Sequence, residues 1–283
     1  MRALAPPERG DVPEPLTPRA YRPNTRLPAP IAGVGIVGLA VLVAPLIALA
    51  WAAPWGRMWE LLTARAALEA LWLSLSAALL ATVLALILGV PLAAVLASGA
   101  ITPTRLVRLL VIVPMVMPPV VIGTALLTLL GRRGLLGQYL DAWFGWTPTY
   151  TFAAVVIAQL VVAMPFLVVS VEASLRSRNI DAEEAAYTLG ASKMTTFWRV
   201  TVPNIRSGIL AGAVMCFARA LGEFGATVTF AGNVEGVTQT MPLSIYLALQ
   251  RDSDSAIAMA IGLVVLSVVV LVMMRGRWMP ALG

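Results

Sequence analysis

Residues 181–203 read DAEEAAYTLGASKMTTFWRVTVP and lie between two long apolar runs. Asp181 is a residue type that caps helix N-termini, and Glu184 follows it at the three-residue spacing of a capping box. Gly190 comes where a helix would end, and glycine adopts the left-handed stop conformation at the lowest cost. The pattern therefore predicts one short helix that begins at Asp181 and stops at Gly190.

A second short helix is predicted directly after that stop. Ser192 is suited to cap its N-terminus, and Pro203 is expected to prevent its continuation into the next apolar run. Together the two helices would form a helical hairpin with a bend at Gly190, outside the membrane. Residues 181–203 are called the hairpin segment below.

The rest of the chain has the composition of a polytopic membrane protein. Of the 283 residues, 59% are hydrophobic and 12% are charged, and the mean hydropathy is +0.87. A soluble domain has about 25% charged residues. The chain contains no histidine and one cysteine, which excludes an intrachain disulfide and a Cys/His metal site. Its acidic residues form no cluster in an apolar setting, so no metal and no bound cofactor are predicted for this chain.

Six apolar runs approach the roughly 20 residues that cross a bilayer. They are Ile31–Trp51, Ala70–Ala97, Leu109–Leu130, Thr151–Val171, Ser207–Phe230 and Ala256–Met274. Because backbone groups cannot stay unpaired in lipid, each run is predicted to be helical. Pro114, Pro118 and Pro119 are expected to kink or break the third run near its first half. The predicted fold is therefore an all-α polytopic membrane protein with six transmembrane helices over residues 31–274.

The basic residues predict the orientation of these spans. Residues 1–30 contain eight prolines and five arginines and no helical period, which predicts a disordered tail. If that tail is cytoplasmic, the inside segments carry fourteen basic residues and the outside loops carry five. The excess of positive charge inside places both termini, including the short extension 275–283, and the hairpin segment in the cytoplasm. Orientation therefore accounts for the net charge of +6 better than a nucleic-acid-binding face does.

The hairpin segment resembles the EAA loop of ABC importer permeases. The residues that carry the resemblance are Glu184, Ala185, Ala186, Gly190, Val200 and Pro203. The family pattern has Ile and Leu where this chain has Val200 and Val202. The resemblance implies a coupling helix that docks into a groove of a cytoplasmic ATPase. The apolar residues of the segment would either insert into that groove or pack against the chain's own spans. Both uses are compatible if Ala185, Ala186 and Leu189 face the ATPase and Phe197 and Trp198 face the membrane. The alternative is a hairpin that merely joins two spans.

Two further stretches, Val113–Gly137 and Phe217–Tyr246, are similar to the molybdate-type permeases of oxyanion importers, with sulfate permeases as close relatives. FARALGEFG at residues 217–225, followed by AGN at 231–233, is of the kind shared across that group. GVTQT at 236–240 and GRRGLLG at 131–137 favour molybdate or tungstate. The resemblance implies a type I importer permease that pairs with a second copy of itself, two ATPase subunits and an extracytoplasmic binding protein. ATP and Mg²⁺ would bind to the ATPase.

The fifth run holds two ionisable residues at membrane depth. Arg219 and Glu223 are four residues apart and would share one helix face. They would either line the translocation pathway or neutralise each other to fix helix packing. Gly222 and Gly225 would allow another helix to approach closely or permit bending during gating. Thr227 would either return its hydroxyl to the backbone or face the pathway.

Three polar residues in the outer loops are candidates for docking the binding protein. Arg132 and Arg133 would hold an acidic face of that partner or, equally, anchor the interface with the lipid. Asn233 belongs to a Gly-, Asn- and Thr-rich loop, 232–239, that would either offer amides to an oxyanion at the outer mouth or form a plain turn.

Other functional classes fit the sequence less well. A GxxxxGK[ST] phosphate loop is absent from the sequence, so the chain is not the ATPase, and no catalytic residue is predicted. An ion-coupled carrier usually has several intramembrane carboxylates, whereas only Glu223 is deep here and Glu172 lies near the inner end of the fourth run. An intramembrane enzyme is disfavoured because no histidine and no set of nucleophile and base converge. The prediction is therefore a non-catalytic permease subunit in a prokaryotic cell membrane. It would import molybdate or tungstate, with sulfate or thiosulfate as the alternative.

Overall fold

The computed structural model describes residues 28–278. Over this range all regular structure is helical, which confirms the predicted all-α class. The tail predicted for residues 1–30 falls outside the described residues except for its last three, and the last five residues of the chain also lie outside them. The chain divides into two units, one ending at Ala48 and the other beginning at Leu49.

The first unit contains most of helix α1, Ala29–Trp51. This helix has 23 residues and a mean hydropathy of 2.6 in its most apolar window, so it is long and apolar enough to cross a membrane. It coincides with the first predicted span. Pro45 lies inside the helix.

The second unit contains thirteen further helices among the described residues. They are α2 Met58–Leu62, α3 Arg65–Ser98, α4 Thr104–Val116, α5 Pro119–Leu130, α6 Gly137–Phe144, α7 Phe152–Ser177, α8 Asp181–Thr188, α9 Lys193–Thr196, α10 Val202–Asn204, α11 Arg206–Leu221, α12 Gly225–Phe230, α13 Met241–Ala248 and α14 Ser253–Trp278. Four helices of the described chain meet the length and hydropathy of a span, and six spans result if each of two bent helix pairs is counted as one. A multi-pass membrane protein follows.

Helices α3 and α7 form the centre of the second unit. The face that α3 buries is rich in alanine, and a Cβ on its Gly89 would lie 2.7 Å from Leu167 of α7. Helix α11 packs on the same α7, because a Cβ on Gly212 would lie 3.0 Å from the backbone of Leu167. Without a hydrophobic driving force in lipid, such small residues let helices reach van der Waals contact. At 34 residues, α3 is about 51 Å long and extends past a hydrocarbon core of about 30 Å.

The third apolar run is a bent helix pair and not one straight span. Helix α4 begins at Thr104, five residues before the predicted start, and α4 and α5 meet at an angle of 114°. The break lies at Met117 and Pro118, which are extended, so the predicted break in the first half of the run is confirmed. Helix α5 has 12 residues and is about 18 Å long, so it alone is too short to cross the hydrocarbon core.

The fifth apolar run is also interrupted, which corrects the prediction of one helix over Ser207–Phe230. Helix α11 ends at Leu221, residues 222–224 are not helical, and α12 begins at Gly225. The carboxylate of Glu223 accepts a hydrogen bond from the backbone N–H of Ala226 at 2.8 Å, a donor that the first turn of α12 leaves free. The side chain of Glu223 therefore stabilises the break.

Helix α13 was not predicted, because its eight residues are too few to form a span. Thr238, Thr240 and Leu243, in and before this helix, are completely buried. The backbone N–H of Met241 donates to the hydroxyl of Ser74 on α3 at 2.7 Å. The loop after α12, which the sequence predicts to be an outer loop, therefore packs into the bundle instead of lying over it.

Candidate functional site

The hairpin segment consists of two helical arms joined at Gly190, as predicted. Gly190 has φ +86°, and its N–H donates to the carbonyl of Tyr187 at 2.9 Å. The N–H of Ala191 donates to the carbonyl of Ala186 at 3.0 Å, which completes a Schellman stop. The Ser192 hydroxyl accepts from the N–H of Thr195, so its predicted role as a cap is confirmed.

The predicted capping box of the hairpin segment is wrong. Asp181 is the first residue of α8 and makes no cap; the N-cap position is Ile180, which has no side-chain cap, and the N–H of Asp181 donates to Asn179 Oδ1 at 2.9 Å. The second arm runs from α9 through a π-helical turn, Phe197–Thr201, into α10, which ends at Asn204, one residue after Pro203. The chain then turns by 72° at Ile205, so the arm does not continue straight into the next apolar run, as predicted.

An ion pair that the sequence analysis missed anchors the hairpin segment to the end of α7. Arg178 Nε and Nη2 donate to the two carboxylate oxygens of Glu183 at 2.6 and 3.1 Å. Arg178 Nη1 also donates to the carbonyl of Leu175, and the hydroxyl of Thr201 donates to Glu183 Oε1 at 2.8 Å. One buried carboxylate thus holds α7, α8 and the π-helical turn together. This set, Arg178, Glu183 and Thr201, is called the clamp.

The two titratable members of the clamp, Arg178 and Glu183, are both charged at neutral pH. The hydrogen bonds from Arg178 lower the pKa of Glu183, burial opposes this, and the Thr201 hydroxyl lowers the pKa further. The same pairing raises the pKa of Arg178. Because the folded pKa of Glu183 is depressed, its contribution to stability is present above the unfolded value of about 4.3 and is lost as pH falls through the lower folded value.

Replacing Glu183 by Gln is expected to loosen the hairpin segment. The change removes the charge-assisted bonds between the buried Glu183 side chain and the half-buried Arg178, which costs about 1–3 kcal/mol. Amide hydrogen exchange over residues 181–201 should therefore accelerate about tenfold or more. Glu184→Gln is the matched control, because Glu184 is exposed and its carboxylate accepts no hydrogen bond in the described part of the chain. Equal acceleration in both variants would contradict the role of the clamp.

Four large apolar or aromatic side chains of the hairpin segment are exposed. Leu189, at the tip of the bend, is 88% exposed, and Tyr187, Met194 and Trp198 are also exposed. Exposed residues from both arms therefore present apolar surface on the same small element. Such a surface on a short helical element fits a groove in a partner protein.

The remaining residues of the hairpin segment divide between its two sides. Glu184, Ala185 and Pro203 are exposed, and Ala186 and Val200 are half-buried. Phe197 packs against the core cluster around Leu96 and Leu175, so it contacts the chain's own helices, which was the alternative to a position facing the membrane. Trp198 lies edge-on to Phe197 at 5.2 Å between ring centroids but remains exposed. A cavity of about 320 Å³ lies between the clamp and the C-terminal end of α3.

Arg219 and Glu223 form the predicted ion pair, with Arg219 Nη1 2.7 Å from Glu223 Oε2. The two do not share one helix face, because α11 ends between them. Glu223 is 1% exposed and Arg219 is 29% exposed. The carboxylate is therefore fixed on both oxygens, while the guanidinium reaches an open surface. This pair and the break beside it are called the charged break.

The small residues at the charged break have different surroundings. A Cβ on Gly225 would lie 2.8 Å from Cβ of Pro119, so glycine is needed for the contact between α12 and α5. Gly222 is exposed, and a Cβ there would meet only the carbonyl of Ala218 at 3.7 Å. Close packing therefore explains Gly225 within this chain but not Gly222. Thr227 is fully buried and its hydroxyl has no hydrogen-bond partner in the described structure, as is the case for both amide atoms of the buried Gln159.

The outer candidates are partly engaged within the chain. Arg132 Nε contacts Asp141 Oδ2 at 3.0 Å, and Arg133 is exposed. Asn233 accepts from Gln239 Nε2 at 3.0 Å. The N–H groups of residues 237–239 donate to the carbonyl of Val234, so these amides of the predicted oxyanion loop form a turn.

The predicted residues do not form a single site. The hairpin segment follows α7, the charged break lies between α11 and α12, and the outer candidates lie in the loops after α5 and α12. Among the described residues, no three His, Cys, Asp or Glu side chains are placed to hold a metal ion. The three groups therefore suit separate tasks.

Comparison with known proteins gives consistent matches. Residues 89–276 match the family described as "Binding-protein-dependent transport system inner membrane component". The Molybdenum transport system permease protein ModB of Mycobacterium tuberculosis is 48% identical over 173 residues, which cover 61% of this chain and 65% of that protein. The protein of the same name from Escherichia coli K12 is 35% identical over 170 residues, which cover 60% of this chain and 74% of that protein.

A solved structure extends the comparison to the fold. A bacterial alginate ABC transporter in complex with a periplasmic protein has a chain that aligns with a TM-score of 0.67 at 18% identity. The alignment covers 88% of this chain and 91% of that one. At this identity the likeness concerns the fold alone.

Proposed function

Because the chain belongs to the family of binding-protein-dependent transport system inner membrane components, we propose that it is the permease subunit of an ATP-driven importer of a tetrahedral oxyanion. The observation that carries the proposal is the hairpin segment, a rigidly anchored element whose apolar surface is left exposed. The family description implies an external binding protein. The hydrolysis of ATP is assigned to a separate subunit, and this chain is assigned no catalytic residue.

Molybdate is the substrate we infer, with tungstate as its chemical equivalent. The support is the similarity to two proteins named molybdenum transport permeases, at 48% and 35% identity. Sulfate and thiosulfate remain the alternative, because all these anions are tetrahedral dianions or close to it. Selectivity among them is assigned to the binding protein, which captures the anion before it reaches this chain.

The hairpin segment is proposed to dock onto the ATPase. Leu189, Tyr187 and Met194 would enter a groove of that subunit, with Glu184 and Ala185 at the edge of the contact. The Schellman stop at Gly190 and the clamp keep the two arms rigid, so displacement of the docked surface passes to α7. Docking requires the hairpin segment and both chain termini to be cytoplasmic, which the distribution of basic residues supports.

The charged break is proposed to lie on the translocation pathway, between two copies of this chain. Met215 and Ala218 of α11 and Gly222 directly after it are exposed beside the half-buried Arg219, and the two small residues, Ala218 and Gly222, suit close approach of a second copy. Arg219 is neutralised by Glu223, so an oxyanion meets a positive group without being held tightly. A pathway with low affinity releases its substrate quickly.

The outer loops are proposed to receive the binding protein. Arg133 is exposed, and Arg132 keeps part of its guanidinium free beside Asp141. Asn233 would contribute through its loop, whose shape is fixed by internal hydrogen bonds. Positive side chains here would pair with carboxylates around the substrate cleft of the partner.

Reconstituted transport tests the proposal. Proteoliposomes containing the chain, its ATPase and its binding protein should accumulate labelled molybdate only with ATP and the binding protein present. Tungstate should compete, and sulfate at the same concentration should not. Uptake that continues without ATP and follows an ion gradient would overturn the proposal, and stronger competition by sulfate would reassign the substrate.

A further inference from the structure

The inner end of α7 holds a second charged group, separate from the clamp. Arg108 of α4 donates to Glu172 of α7 through Nη2 and Nε, at 2.6 and 3.0 Å from Oε1. Arg176, one turn along α7, donates to the same oxygen at 3.0 Å. The Glu172 side chain is 8% exposed, whereas Arg108 is 31% and Arg176 is 51% exposed. A buried carboxylate on α7 thus binds one arginine from its own helix and one from α4.

The two charged groups on α7 are adjacent. Glu172 lies on the turn before Leu175, whose carbonyl accepts from Arg178 of the clamp. The last two turns of α7 are therefore bonded to two other elements. Glu172 binds α4 through Arg108, and the clamp binds the hairpin segment. A rigid helical end of this kind moves as one body with both attached elements.

Helix α4 leads from this point to the charged break. Its C-terminal end joins α5 at Met117 and Pro118. The first residue of α5, Pro119, is the residue that Gly225 of α12 approaches. A Cβ on Gly123, one turn further, would lie 2.6 Å from Thr229 Cβ. Helices α5 and α12 are therefore so closely packed that a shift of one must displace the other. Direct contacts therefore run from the hairpin segment to the residues beside Glu223.

We propose that Arg108 is a positioning residue that transmits movement of the hairpin segment to the charged break. The Arg108–Glu172 ion pair ties α4 to the end of α7, so displacement of the docked hairpin segment pulls α4, and α4 moves α5 against α12. This inference rests on the proposed function. Contact alone does not establish coupling, so its test must separate transmission from stability.

Arg108 and Arg176 provide a matched pair of variants. Arg108→Gln and Arg176→Gln each remove one guanidinium from the same carboxylate, and each leaves Glu172 with one arginine. Only Arg108→Gln cuts the link between two helices. The readout is molybdate uptake per ATP hydrolysed in the reconstituted complex, with co-purified ATPase measured alongside.

Arg108→Gln is expected to lower uptake per ATP at least fivefold while the ATPase still co-purifies. Arg176→Gln should change it by less than twofold. Arg108→Gln/Glu172→Gln should resemble Arg108→Gln alone, because one interaction accounts for both losses. Equal effects of the two single variants, or unchanged uptake per ATP in Arg108→Gln, would overturn the inference.

The same experiment distinguishes failure of the inference from failure of the proposed function. If the wild-type complex shows no ATP-dependent uptake, the function itself is wrong and the inference falls with it. If Arg108→Gln does not assemble, Arg108→Lys keeps the charge but loses the two-nitrogen contact. That variant should assemble and show an intermediate loss of uptake per ATP; wild-type stoichiometry in it would overturn the inference.

Discussion

Leu189→Asp is expected to abolish stable association of this chain with its ATPase. Leu189 is 88% exposed at the tip of the hairpin segment, and burying a leucine in a partner's groove contributes about 1.5–3 kcal/mol. A carboxylate in the same apolar groove adds the cost of an unpaired buried charge. Together these effects predict that the affinity falls more than about 100-fold. Co-purification and titration of the ATPase onto the immobilised permease would measure the loss.

Leu135→Asp is the matched control for that variant. Leu135 is likewise an exposed leucine, but it lies in the loop after α5, which the proposed orientation, with the hairpin segment in the cytoplasm, puts on the opposite side of the membrane. The same substitution there should leave ATPase binding within about twofold of wild type, because Leu135 is not part of the proposed docking surface and distant substitutions act independently. If Leu189→Asp binds the ATPase normally, or if both variants lose it, docking through the hairpin segment and its cytoplasmic placement would be refuted.

The stop and the second cap of the hairpin segment could be predicted because their signals are local. A glycine at a helix end and a serine before a new turn act within a few residues, and both Gly190 and Ser192 behave accordingly. The clamp could not be predicted in this way. Glu183 meets Thr201 across 18 residues, and Arg178 meets Glu183 only because the chain turns at residues 178–180. The acidic residue that the capping pattern favoured, Glu184, is the one that stays exposed.

Hydropathy located the spans but not their interruptions. An apolar run continues through a break without a change in composition, so Ser207–Phe230 read as one helix although α11 ends at Leu221. Three prolines marked the break near Met117, because proline removes hydrogen bonds that a helix requires. At the charged break the only signals were Gly222 and a single glutamate, and the hydrogen bond from Ala226 to that glutamate is visible only in the structure.

In the loop 232–239, contacts within the folded chain determine which partners the backbone amides and hydroxyls bind. The loop's composition of Gly, Asn and Thr left two alternatives open, amides offered to an anion or a plain turn. In the structure Val234 and Thr238 satisfy several of these amides. Thr240 and Met241 are buried, and Met241 is bonded to Ser74 on α3, 167 residues away in sequence. No local sequence pattern predicts a contact between residues so far apart in the chain.

Arg219→Ala is expected to reduce oxyanion uptake at least tenfold and to reduce assembly less. Arg219 reaches the exposed surface beside Gly222, where it would attract a dianion, while Glu223 is held by Ala226 and moderates the attraction. Removing the arginine leaves a buried carboxylate without its cation, which costs about 3–5 kcal/mol when a buried pair is broken. Some loss of folded protein is therefore expected, and uptake must be expressed per assembled complex.

The double variant Arg219→Gln/Glu223→Gln separates a pathway from a structural brace. It removes both charges, so no buried charge is left unpaired, and two amides can still hydrogen-bond across the break. If the pair only fixes the packing of α11 and α12, the double variant should transport within about twofold of wild type, because neutral replacements of a buried pair are often tolerated. If Arg219 meets the substrate, uptake should stay at least tenfold low although the complex assembles and hydrolyses ATP. Glu69→Gln, which opens the exposed Arg65–Glu69 pair at the same spacing, is the control and should transport normally.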